Sequence, residues 1–217
     1  MKKLFAMVMA SAICFSASAK AESFSPYVSL KGVVSDTTAT LDGDDEDYKN
    51  MGVNLAVGTN INKNVRIEFE IAHRNKDTTH LPYEGVNGSA YIEGQDNIGL
   101  TTTSYMVNGY YDFDNHSAFT PYIGLGIGMA KVKYENAWTE SGYDISSGAY
   151  MGTINGKDKY SKTKMVWNIA LGASYKINSN LNLDLGYRYV DYGSFTDSDI
   201  EFETKSNEFS LGIRYAF

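Results

Sequence analysis

Stretches of about ten residues in which every second residue is apolar recur along this chain, and they limit its fold more than any other feature. The last stretch, FSLGIRYAF, sets Phe209, Leu211, Ile213, Tyr215 and Phe217 on one face. Glu208, Ser210, Gly212, Arg214 and Ala216 take the other face. A two-residue period belongs to a β-strand whose two sides meet unlike surroundings. Eight such segments occur, at about 25–35, 50–60, 65–74, 102–113, 120–134, 164–176, 181–191 and 205–217. Each is close to the ~10 residues that a tilted strand needs to cross an outer membrane. Between them the connections alternate. Residues 61–64, 114–117 and 178–180 are short turns, whereas 36–49, 75–101, 135–163 and 192–204 read as long polar loops. This pattern predicts an all-β fold, an eight-stranded antiparallel up-and-down transmembrane β-barrel, with both chain ends on the short-turn, periplasmic side.

The faces carry the next part of the argument. The third segment sets Val65, Ile67, Phe69 and Ile71 against Arg66, Glu68, Glu70 and Ala72. The fifth sets Ile123, Leu125, Ile127 and Met129 against Tyr122, Gly124, Gly126, Gly128 and Ala130. A soluble barrel of lipocalin type, apolar side inward, would alternate in the same way. Three features favour the membrane. The non-apolar face is crowded with Gly, Ala and Ser, which suits a cramped interior. Its charges come in both signs, Arg66, Glu68, Glu70, Asp184, Arg188, Glu208 and Arg214, as an internal ion-pair network requires. Aromatic residues on the apolar face fall into two girdles. Tyr111, Phe113, Tyr175, Tyr215 and Phe217 mark the periplasmic ends, and Tyr105, Trp167 and Tyr189 the outer ends.

The N-terminus reads as an export address. MKK is a positive start, LFAMVMASAICF an apolar run, and the small residues after it offer cleavage after Ala19 or Ala21. The run is too short to span a bilayer as a helix, which takes ~20 residues. The expected organisation is a cleaved signal peptide, 1–21, and a barrel domain, 22–217. Cys14 lies inside the leader, so disulfides play no part in the exported chain. Loss of Lys2, Lys3 and Lys20 makes the formal charge of −7 three units more negative, which disfavours nucleic acid as a partner.

Two segments carry a family resemblance. NGYYDFDNHSAFTPYIGLGIGMA, residues 108–130, and LNLDLGYRYVDYG, residues 181–193, resemble the small outer-membrane β-barrel family of opacity (Opa) adhesins, OmpA- and OmpX-like barrels and related surface antigens. The resemblance covers essentially the whole exported chain. It implies an integral outer-membrane location, contact with outer-membrane lipid and lipopolysaccharide, and passage through export and barrel-assembly machinery. It also implies that the last strand, Phe209 to Phe217, is an assembly signal, and that the periplasmic tether domain of full-length OmpA-like proteins is absent.

Against this frame the chemistry-bearing residues are weighed. In a narrow eight-stranded barrel side chains fill the lumen, so the interior charges form a plug; a narrow porin lined by them is the alternative. LDGDDEDYK, residues 41–49, concentrates carboxylates that could hold a hard cation, but lacks the spacing of a calcium loop and reads as a solvated acidic loop. Asp197, Asp199, Glu201 and Glu203 read the same way. A lipid-modifying enzyme would need a serine beside a histidine at the lipid-facing rim. Of His73, His80 and His116 only His73 lies there, and no serine and carboxylate can be assigned to it. No catalysis, cofactor or metal is expected. Two loops longer than ~15 residues remain, a length that is usually functional or disordered. They carry Tyr83, Tyr91, Trp138, Tyr143, Tyr150 and Tyr160, rings that suit a contact surface for a host or cell-surface ligand. The expected function is a filled scaffold displaying four extracellular loops for adhesion and envelope integrity.

Overall fold

The structure, a computed structural model, describes residues 24–41, 44–197 and 200–217. Residues 1–21, read as the leader, lie outside the described residues. So do most of the acidic side chains of 41–49, together with those of Asp197, Asp199 and Glu201.

Eight antiparallel strands follow in chain order: β1 (Ser25–Leu41), β2 (Asp44–Asn60), β3 (Val65–Asn87), β4 (Ala90–Asp112), β5 (Phe119–Asp144), β6 (Tyr150–Lys176), β7 (Leu181–Asp197) and β8 (Ile200–Ala216). Each pairs with its neighbours in sequence, and β1 pairs with β8, so the sheet closes. The closing ladder runs from Tyr27 opposite Ala216 to Leu41 opposite Phe202. Phe217 adds one more bond, its amide donating to the Pro26 carbonyl at 3.0 Å. Closure gives every strand two partners, as a sheet surrounded by hydrocarbon requires.

The alternation sorts the side chains as the sequence predicts. Leu125, Phe209 and Leu211 are 66%, 62% and 57% exposed, while Arg66, Glu68, Glu70 and Glu208 on the opposite parity are 2% exposed or less. Such a molecule is apolar outside and charged inside, the reverse of a soluble barrel. Among the described residues no helix is long and apolar enough to cross a membrane; the crossing is made by strands.

Two of the short turns are built alike. In Ile61–Asn64 the Asn62 side-chain oxygen accepts from the amides of Asn64 and Val65, at 2.8 and 2.9 Å. In 177–180 the Asn178 oxygen accepts from Asn180 and Leu181, both at 2.9 Å. Asn64 and Asn180 then each donate to the end of a neighbouring strand, at Asp112 and Ala216. The third turn places His116 at φ 59°, a left-handed conformation that His tolerates better than most residues.

The chain departs from the sequence reading at the other end. Segments 75–101 and 135–163, read as loops, are paired strands; β3 to β6 run 23, 23, 26 and 27 residues. Once both faces meet water the alternation fades, yet the backbone still needs partners, and Tyr, Thr and Val suit pleated pairing. The chain thus divides into two compact units. One holds the strand portions up to Arg74, Thr103–Ala130 and Lys164–Phe217; the other holds Asn75–Thr102 and Lys131–Thr163.

Candidate functional site

In the first unit the lumen is occupied by a continuous chain of alternating charges. Asp112, Arg66, Glu68, Lys31, Glu70, Arg188, Glu208 and Arg74 follow one another at N–O distances of 3.0, 4.0, 2.9, 3.2, 2.6, 2.6 and 2.8 Å. Arg214 and Asp184 form a separate pair at 3.2 Å, with Ser174 donating to Asp184 at 2.5 Å. The signs balance, and strand pairing dictates the geometry. Alternate residues of β3 (Arg66, Glu68, Glu70 and Arg74) point inward, and closure brings β7 and β8 opposite them, so Arg188 reaches both Glu70 and Glu208. All four arginines of the chain are buried in the lumen, Arg66, Arg74 and Arg188 in this network and Arg214 in the separate pair. Their planar forks suit bidentate pairing: Arg74 meets both oxygens of Glu208, at 2.9 and 2.8 Å.

Tyrosines fill what the charges leave. The Arg66 guanidinium lies 4.0 Å from the Tyr110 ring centre and 4.7 Å from that of Tyr122. The two rings meet edge to face at 5.6 Å. Tyr27 and Tyr110 donate to Glu68 at 3.2 and 3.3 Å. Glycines make room for the rings: a Cβ on Gly124 would lie 2.5 Å from Tyr110, and one on Gly172 2.5 Å from Tyr122. The lumen also holds an apolar cluster, Met106, Ala130, Val166, Val190 and Tyr192, beside buried Asn108, Asn168 and Ser206. Beside Lys31, Glu70, Arg188 and Glu208 a cavity of about 20 Å³ remains, room for a single water. An open depression of about 620 Å³ lies at the short-turn end, by Lys63, Asp112, Asp114, Lys176 and Arg214.

The sequence reading named Arg66, Glu68, Glu70, Asp184, Arg188, Glu208 and Arg214, and the structure brings all of them inside. It missed Lys31, Arg74, Asp112, Tyr27 and Tyr110. Each keeps the inward parity of its strand, so parity carried through to the strand ends would have found them.

The aromatic positions lie on the exposed face. Tyr111 meets Phe113 edge to face at 5.0 Å, Tyr215 meets Phe217 edge to face at 5.4 Å, and Trp167 lies tilted against Tyr189 at 5.9 Å. Tyr105 and Tyr175 are exposed without a ring partner among those described. Ile213, with Phe209 and Leu211, completes an exposed row on β8. His73 bonds to the Thr103 hydroxyl at 2.9 Å, not to a serine. Among the described residues no group of three or more metal-binding side chains converges.

The second unit holds a different kind of surface. A bond from the Ile145 amide to the Ser89 carbonyl, 2.9 Å, ties the turn of the β3–β4 hairpin to that of β5–β6. Tyr91, Tyr143 and Tyr150 form a row of rings at 6.5 and 5.7 Å. On the same two hairpins Val86, Ile145, Met151 and Ile154 are more than half exposed. Tyr83 donates to Glu140 at 3.2 Å, and Tyr91 to Glu84 at 2.5 Å, a bond that pushes its hydroxyl up to about 12. Trp138 lies over Gly156, and Tyr160 is exposed. His80 bonds to Asn97 and, at 3.1 Å, to Gln95. Hydrogen bonds from the Ser147 side chain and amide hold the Asp144 carboxyl down to about 2 and fix the hairpin turn.

Comparison with known proteins adds to this geometry. A family model described as the outer membrane protein beta-barrel domain matches residues 7–217. The chain is 38% identical to the outer membrane protein PagN of Salmonella typhimurium over 139 residues, 58% of this chain and 54% of that protein. It is 23% identical to a candidate adhesin of Rickettsia canadensis over 172 residues, 76% of this chain and 69% of that one. The chain spans about half the length of the first curated relatives it matches. Among solved structures, Neisserial surface protein A (NspA) superposes with a TM-score of 0.57 at 21% identity, covering 90% of this chain and 100% of that one.

Proposed function

The chain belongs to the outer membrane protein β-barrel domain family, and from that premise we propose that it is a surface-display protein whose β3–β6 hairpins bind a host or neighbouring cell. It is an integral protein of the bacterial outer membrane. The observation that carries the proposal is the row of rings Tyr91–Tyr143–Tyr150, on hairpins that also expose Val86, Ile145, Met151 and Ile154. In a monomeric protein, apolar residues grouped in water mark an interaction surface, and rigid amphipathic rings give contact area at low entropy cost. Its likeness to a candidate adhesin points the same way.

The test is to shorten both hairpins in register, joining β3 to β4 at the level of His80 and Asn97, and β5 to β6 at Trp138 and Gly156. The shortened protein should refold and keep its barrel circular dichroism while losing attachment to cultured cells. Attachment equal to the parent would reject the hairpins as the binding surface.

The barrel itself supports the reading of a filled scaffold over that of a narrow porin, because charges, rings and an apolar cluster occupy the lumen. The refolded protein in a planar bilayer is expected to give no discrete single-channel steps; reproducible openings would promote the porin.

The last strand is proposed to carry the assembly signal, with Phe217 as its end. Phe217→Ala should lower the yield of folded barrel in cells severalfold while in vitro refolding into detergent stays near that of the parent. Equal losses in the two settings would make Phe217 a packing residue only.

A further inference from the structure

Charge in the second unit is sorted along the hairpins. From His80 to Thr102 and from Asn136 to Gly156 it has five carboxylates, Glu84, Glu93, Asp96, Glu140 and Asp144, and no lysine or arginine. The unit's lysines, Lys76, Lys131, Lys133, Lys157, Lys159 and Lys162, all lie outside those stretches. Three of them surround one carboxylate: Glu135 receives Lys159 at 3.1 Å, Lys157 at 3.3 Å and Lys76 at 3.5 Å. Lys76 reaches it because Gly99 offers no side chain there; a Cβ at that position would collide with the lysine stem. Glu84 and Glu93 are placed differently. Both are exposed, and among the described residues neither has a cation beside it. Both act on Tyr91: Glu84 accepts from its hydroxyl at 2.5 Å, and the charges of the two carboxylates help to raise that hydroxyl. Like charges gathered at one ring repel each other unless a cation joins them.

We propose that the ring row receives a basic polypeptide segment, whose arginine and lysine side chains lie over Tyr91, Tyr143 and Tyr150 and meet Glu84 and Glu93. The inference rests on the reading of the hairpins as a cell-binding surface and names the chemistry of what they bind. The face of a tyrosine ring attracts a cation, above all a guanidinium, whose plane also stacks on it. The lumen of the same chain shows the combination complete. There Arg66 lies 4.0 Å from the Tyr110 ring centre and is held by Asp112 at 3.0 Å. At the hairpins rings and carboxylates recur, but every arginine of the chain is buried in the lumen and the lysines of the unit stand elsewhere. The cation therefore comes from another molecule. Spacing favours a polypeptide: successive rings are 6.5 and 5.7 Å apart, and alternate side chains of an extended peptide repeat at about 6.6 Å. The exposed Val86, Ile145, Met151 and Ile154 give apolar contacts that such a segment can cover.

The test uses the full exported chain refolded in zwitterionic detergent. It is titrated, by fluorescence anisotropy, with labelled heptapeptides in which threonine alternates with arginine, with lysine or with glutamate. The arginine peptide should bind, the lysine peptide severalfold more weakly and the glutamate peptide not at all. Glu84→Gln/Glu93→Gln should weaken the arginine peptide about tenfold. Its amide oxygen can still accept from Tyr91, so the rings stay placed. Tyr143→Leu/Tyr150→Leu should weaken it about fivefold and abolish the preference for arginine over lysine, which a change of charge alone would not do. Asp47→Asn/Asp158→Asn removes the same charge elsewhere and should leave the affinity at the parent value. No binding of the arginine peptide, an equal loss in the Asp47/Asp158 variant, or tighter binding of sulphated dextran than of the arginine peptide would overturn the site. Attachment to cultured cells separates this inference from the reading beneath it. If shortening the hairpins abolishes attachment while Glu84→Gln/Glu93→Gln leaves it unchanged, the hairpins bind and the cationic partner is rejected. If the shortened protein attaches like the parent, the cell-binding reading fails, and the peptide titration alone decides the site.

Discussion

Replacing Arg188 by Met is expected to lower barrel stability by about 3–5 kcal/mol, the cost of stranding buried carboxylates without their cation. Arg188 holds Glu70 at 2.6 Å and Glu208 at 2.6 Å, and both are buried. The cavity beside the two carboxylates has room for a single water, too little to solvate both, and among the described residues each keeps one other cation, Lys31 for Glu70 and Arg74 for Glu208. Urea unfolding of the refolded protein, followed by the fluorescence of Trp138 and Trp167, measures the loss. Adding Glu70→Gln should recover part of it by removing one stranded charge, a coupling that a simple packing defect would not show. A loss below about 1 kcal/mol would mean that solvent reaches the centre of the lumen, contrary to a filled scaffold.

Gly172→Val should be nearly as damaging, by about 3 kcal/mol, for a steric reason. Gly172 on β6 faces Gly186 on β7, and the Tyr122 ring lies over both. A Cβ on Gly172 would collide with the Leu185 carbonyl and lie 2.5 Å from the Tyr122 hydroxyl. The first contact is with backbone, which cannot swing aside without opening the β6–β7 ladder. The fraction of heat-resistant folded barrel after refolding measures the effect. Tyr122→Ala in the same chain should restore only part of the yield, because the carbonyl remains; full restoration would assign the whole effect to the ring.

These two positions show how differently parts of the molecule could be read from sequence. Arg188 was legible, since a charge on the non-apolar face of a membrane strand has nowhere to go but inward. Its partners were legible as a set but not as pairs. That Arg66 bonds chiefly to Asp112, while Arg188 joins Glu70 to Glu208, depends on strand stagger and closure, which a two-residue period does not encode. Lys31 was passed over because it stands alone among small residues of its face, Ser29, Val33 and Ser35. The glycines were recognised as making room, but not for which rings. Beyond Arg74 and Ala130 the reading failed for a physical reason: strands wet on both sides have no alternation to display. The pairing of β3 with β4 and of β5 with β6 there rests on backbone bonds, and the Lys76–Glu135 contact on the gap at Gly99.

The ladder between β1 and β8 sets the terms on which the molecule can enter a bilayer. Every other pairing joins strands that are neighbours in the chain and can form as the chain is delivered. The β1–β8 seam, from Tyr27–Ala216 to Leu41–Phe202, joins the first strand to the last. Until β8 is in place, β1 and β7 each present a full edge of amides and carbonyls, which hydrocarbon will not accept. The lumen charges impose the same condition, because Arg74 and Arg188 share Glu208, a residue of β8. Residence in the membrane is therefore all or none: a ring missing one arc is not a smaller barrel but an open sheet with unmatched charges, and the bilayer itself selects for the finished circle.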